Sequence, residues 1–78
     1  MNLILLGYGH SIIVGGTIGD NPVIDIKCSD DPHNRPQDDT VTIEEFEAFD
    51  ATNRVRLAFA NKEAVENFLA LIRILLDA

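Results

Sequence analysis

Apolar residues recur along this 78-residue chain with two different spacings, which divide it into a strand-forming part and a helical end. Asn2 to Leu6 and Ser11 to Ile18 are short aliphatic or β-branched runs separated by Gly7-Tyr8-Gly9-His10, a composition suited to a turn, and they predict a hairpin. Gly15 and Gly16 interrupt the second run, which predicts a bulge or a close backbone approach. Asp20-Asn21-Pro22 supplies the next turn, and Val23 to Cys28 then alternates. Ile24, Ile26 and Cys28 point one way and Asp25 and Lys27 the other, the pattern of a half-buried antiparallel strand.

Residues 29–40 contain two prolines and four aspartates and no aliphatic or aromatic residue, so they have nothing to pack with and read as an exposed acidic loop. Thr40 to Phe49 supports two readings. Thr42-Ile43-Glu44-Glu45 has the form of a capping box, with Ile43, Phe46 and Phe49 on one helical face. Alternation through Val41, Ile43, Phe46 and Ala48, with one slip, instead suits a strand. Arg54 to Ala60 alternates as well, after turn formers at Asp50 to Asn53, and a hairpin would set Glu45 and Glu47 beside Arg54 and Arg56. That pairing favours the strand. The end of the chain is helical: Asn61 is a good N-cap, Glu63 suits the first turn, and Lys62 to Asp77 contains no Gly or Pro. Val65, Phe68, Leu69, Ile72, Leu75 and Leu76 form a core-facing stripe, which Ala64 and Leu71 widen, while Ile74 lies nearly opposite its centre. The expected fold is α+β, one domain over 1–78, with a small antiparallel sheet of about five strands packed against one C-terminal helix.

Charge sharpens this picture. The chain carries −7 overall, and residues 29–50 hold eight acids, Asp30, Asp31, Asp38, Asp39, Glu44, Glu45, Glu47 and Asp50, against Arg35 alone. Elsewhere five acids and five bases cancel, so the whole excess sits in that stretch. Such a surface repels nucleic acid and anionic membranes and attracts a basic protein surface. The amino-terminal apolar run lacks a Lys or Arg and stops at Gly7, unlike a signal peptide, and a single cysteine, Cys28, fits a reducing cytoplasm.

Candidate chemistry narrows further. Gly7-Tyr8-Gly9-His10-Ser11-Ile12 begins like a dinucleotide-binding turn, but its third glycine is Ile12 and no helix can start at Gly15-Gly16. His10, His33, Cys28 and the aspartates have no metal-ligand spacing, so no metal or other cofactor is expected. Ser11 and Ser29 have no base at a recognisable spacing, and the carboxylates sit in a solvated, mutually repelling cluster. The expectation is a binding protein and not an enzyme. Its candidate partner-binding residues are the eight acids of residues 29–50, and its candidate oligomer interface is Leu71 and Ile74 on the helix.

In general appearance, short and acidic with hairpins followed by the terminal helix Lys62 to Asp77, the chain resembles small phage-encoded inhibitors such as anti-CRISPR proteins, and also acidic immunity proteins. The resemblance implies an inhibitor bound to a nuclease or another nucleic-acid-handling complex, and it assigns no residue roles. The alternative from the residues is a structural or assembly subunit that forms a homodimer through its helix.

Overall fold

A computed structural model describes residues 3–7, 9–34 and 41–77. Its elements are β1 (Ser11–Ile18), β2 (Asn21–Cys28), α1 (Ile43–Ala48), β3 (Asn53–Ala58) and α2 (Lys62–Leu76). The strands form one antiparallel sheet in the order β1-β2-β3. β1 and β2 are joined by the two-residue turn Gly19-Asp20, where Gly19 takes φ 59°, a left-handed value that glycine adopts without strain. Register runs unbroken from Ser11↔Cys28 to Ile18↔Asn21, so Gly15 and Gly16 form no bulge. β3 pairs with the other edge of β2, from Val23↔Ala58 to Cys28↔Asn53.

The sheet has three strands where about five were expected, and two segments account for the difference. Leu3 to Leu6 is irregular: the chain does turn at Gly7, whose carbonyl accepts from His10 N–H at 3.1 Å, but the preceding run forms no ladder with β1. Ile43 to Ala48 is helix. Thr42 Oγ1 accepts from Glu45 N–H at 3.2 Å while Glu45 Oε1 accepts from Thr42 N–H at 3.3 Å, so both halves of the capping box form. The expected pairing of Glu45 and Glu47 with Arg54 and Arg56 does not form, because Arg54 and Arg56 lie beside Asp25 on the neighbouring strand.

Alternation along β2 holds, but the face carrying its charges is the covered one. Paired residues share a face, which places Ile12, Val14, Val23, Asp25, Lys27, Arg54 and Arg56 together. α1 lies against one end of this face. Phe46 is 3% exposed, Lys27 Nζ sits 4.6 Å from its ring centroid, and the same ammonium donates to the Phe46 carbonyl at 2.7 Å and the Phe49 carbonyl at 3.5 Å. Lys27 thereby gives the Phe46 carbonyl, which also accepts from Phe49 N–H at 3.3 Å, a second donor, and it reaches the Phe49 carbonyl at the end of the helix. Ile12, Val23 and Phe46, three of the four buried apolar residues among those described, belong to this side of the sheet, and the fourth, Ile26, faces the other way.

The long excursion from β2 to β3 is tied at its base. Thr52 N–H donates to the Cys28 carbonyl at 2.9 Å, Asp30 N–H to Thr52 Oγ1 at 2.7 Å, and Asn34 Nδ2 to the Asp50 carbonyl at 2.6 Å. Residues 35–40 of the expected loop lie outside the described residues.

α2 begins as expected, with Asn61 Oδ1 accepting from Ala64 N–H at 2.8 Å, but it does not hold the core: none of its residues is buried. Ala64, Val65 and Phe68 are half-buried, and Phe68 meets Phe59 edge to face with ring centroids 5.4 Å apart. Beyond Phe68 every residue through Asp77 is exposed. The result is an open molecule, with a radius of gyration of 13.5 Å where a domain of this length has about 11.5 Å.

Candidate interaction surfaces

Three surfaces follow from this arrangement. The first is the charged centre of the α1 side. Arg56 holds both oxygens of Asp25, Nε to Oδ1 at 2.6 Å and an Nη to Oδ2 at 3.0 Å, and Arg54 approaches to 4.0 Å. The Arg56 hydrogen bonds keep the Asp25 carboxyl below its ordinary range against the opposing effect of burial, with help from the charges of Arg56, Arg54 and Lys27. Arg56 is correspondingly raised by the same hydrogen bond. Beside this pair an open groove of about 430 Å³ runs between α1 and the sheet, past Gly16, Val23, Ile43 and Phe46. A carboxylate gripped at both oxygens is a poor proton acceptor, so the arrangement suits a structural ion pair better than acid–base chemistry. The sequence did carry its signal, since Asp25 and Lys27 alternate on β2 as Arg54 and Arg56 do on β3.

The second surface is the acidic stretch. Asp30, Asp31, Glu44, Glu45, Glu47 and Asp50 are all exposed, and Asp38 and Asp39 lie outside the described residues. The hydrogen bonds at the base of the excursion bring the Asp30–Asp31 turn and Asp50 to the same end of the molecule. Two of the carboxylates have structural work: Glu45 closes the capping box, and Asp31 Oδ1 accepts from His33 N–H at 2.9 Å. Among the described residues, no Lys or Arg lies within ion-pair distance of any of the six.

The third surface is α2, where exposure rises toward the C-terminal end of the helix from 38% at Ile72 to 79% at Leu76. The candidate interface residues Leu71 and Ile74 are both exposed, and so are Leu69, Ile72, Leu75 and Leu76, which the periodicity assigns to the core. Periodicity reports which side of a helix is apolar. It does not report what covers that side.

Among the described residues, no group of three or more His, Cys, Asp or Glu is placed to hold a metal ion, and no helix is long and apolar enough to cross a membrane. No family model, curated protein or solved structure matches the chain.

Proposed function

We propose that this chain is a non-catalytic assembly subunit that joins a second copy of itself through α2. The observation that carries the reading is the run of aliphatic residues from Leu69 to Leu76, in which each Leu and Ile is more than a third exposed. A monomer rarely presents so much contiguous apolar surface to water, and a small domain gains stability by covering it. The accessible surface, 6117 Å², exceeds the roughly 4,700 Å² of a compact monomer of this mass by about 1,400 Å². A standard interface buries about 800 Å² per partner, so one such contact fits within the excess. Light scattering across a concentration series tests the reading. The parent should be dimeric and a Leu69→Glu/Leu76→Glu variant monomeric with unchanged helical content. A parent that stays monomeric at every concentration refutes it.

A second reading is favoured by the acidic surface: an inhibitor of the anti-CRISPR or immunity-protein kind, engaging a basic surface on a nuclease or nucleic-acid-binding complex. What supports it is that, among the described residues, the exposed carboxylates at one end of the molecule are left without cationic partners. The two readings are compatible, since α2 and the acidic stretch are separate. Capture of partners from the native host at low and high salt discriminates them, because a carboxylate contact weakens with ionic strength and an apolar one persists. Conversion of Glu44, Glu47 and Asp50 to amides should abolish a salt-sensitive partner and leave self-association intact. A free, half-buried Cys28 suits a cytoplasmic setting for either role.

A further inference from the structure

Resting on the self-association reading, we infer that two copies pair through antiparallel α2 helices along a seam of Val65, Leu69, Ile72 and Leu76. These four residues are spaced four, three and four apart, the alternation that keeps one apolar line facing a partner helix. A shallow concavity of about 310 Å³ lies along the same side, lined by Leu69, Ile72, Arg73, Leu76 and Asp77. Val65 is half-buried at the end nearest the sheet, and the seam opens toward the C-terminal end of the helix.

Charge selects the direction. Glu66 and Arg73 each directly follow a seam residue and so occupy the same flank, about one turn to either side of the helix midpoint at Leu69. Reversing the partner about a two-fold axis between Ala70 and Leu71 layers Val65 on the partner's Leu76 and Leu69 on the partner's Ile72, and it brings Glu66 within two residues of level with the partner's Arg73 on the flank, twice per dimer. Lys62 and Asp77 face each other in the same way at the two ends. A parallel pair would instead put Glu66 beside the partner's Asn61 and Arg73 beside the partner's Phe68, leaving both charges unmatched. The excess negative charge of the chain does not oppose the contact, since it lies in residues 29–50, while α2 with its cap residue holds two bases and three acids. In this register Leu76 interleaves with the start of the partner helix, and Ile74 stands outside the seam as an isolated apolar residue.

The test uses charge exchange on the full chain, read by sedimentation equilibrium at low salt. Glu66→Arg sets two arginines against each other across the interface, and Arg73→Glu sets two glutamates against each other, so each variant alone should dimerise about tenfold more weakly than the parent. An equimolar mixture of the two should recover parental affinity, because its heterodimer contains both opposite-charge pairs again. Both positions are exposed, so the monomer fold is not at stake. Variants that dimerise as the parent does, or a mixture that fails to recover, overturn the register. Ile72→Glu separates this from failure of the underlying reading: a dimer lost with Ile72→Glu but indifferent to the charge variants keeps self-association and removes the antiparallel seam, whereas a parent that is monomeric throughout removes both. Ile74→Glu should leave the dimer intact, and a dimer lost with that change would also overturn the seam.

Discussion

The two helices differ in the opposite sense to what their sequences advertise. α1 has six residues, too few to persist alone, yet it buries Phe46 and is fastened to the sheet by a lysine at its C-terminal end. α2 has fifteen residues, a side-chain cap and a broad apolar stripe, and none of its residues is more than half-buried. Helix-forming strength and contribution to a core are therefore separate properties. A short helix becomes indispensable when it closes the best-covered face of a sheet, and a long one can leave its apolar side open.

The contrast between the helices is tested most directly at Phe46. Phe46→Ala should cost about 3–5 kcal/mol, comparable with the whole stability of a domain this size, because it removes the buried ring and strips the apolar cover from Lys27. Far-ultraviolet circular dichroism should show a chain largely unfolded at room temperature. A cooperative melt near that of the parent would mean that α1 does not close the core.

Phe68→Ala in the dilute monomer should cost less, about 1–2 kcal/mol, since the ring is only half-buried and its main partner is Phe59. Equal losses for Phe68→Ala and Phe46→Ala in denaturant titrations would erase the distinction between the helices.

The caps sharpen it further. Thr42→Ala and Asn61→Ala remove the same kind of contact, worth about 1 kcal/mol to a helix. Thr42→Ala should lower global stability by roughly that amount. Asn61→Ala in the monomer should mainly increase amide exchange within the first turn of α2 and leave the midpoint of global unfolding nearly unchanged. Matching shifts in the midpoint would count against the contrast.

Legibility in the sequence follows how local each determinant is. β1, β2, β3 and α2 are readable because alternation, helical period and the Asn61 cap are written within each segment. Leu3 to Leu6 is not, since a strand needs a partner and an aliphatic run does not specify one. At Thr42 to Ala48 both patterns are present, and the helix prevails because its cap satisfies two backbone donors locally while Phe46 reaches a buried site over Lys27. The acidic surface is legible by position, though not the use of Glu45 in the cap. Alternation marks Asp25, Arg54 and Arg56 as facing one way along their strands, but that β2 and β3 are neighbours, so that Asp25 and not Glu45 or Glu47 meets the arginines, is not written in either segment.

The smallest effect expected is a pH dependence. The Asp25 carboxyl is depressed in the folded state, so its contribution is present above the unfolded value near pH 4 and is lost as pH falls through its lower folded value. The stability difference between the parent and Asp25→Asn should accordingly be constant around neutrality and shrink in more acidic solution. A difference that grows on acidification would contradict the ion pair.

The edge strand β1 gives the net charge a further role. Ser11 to Ile18 contains no charged residue and no proline, and among the described residues it is paired on one side only. Such an edge is a template for fibril growth, which proteins usually blunt with a lysine, a proline or a covering segment. Here the net charge of −7 supplies a long-range repulsion that works against edge-to-edge stacking of β1 at neutral pH. Acid or high salt weakens that repulsion, so the edge of β1 should become more prone to strand pairing between molecules as carboxylates are protonated or screened.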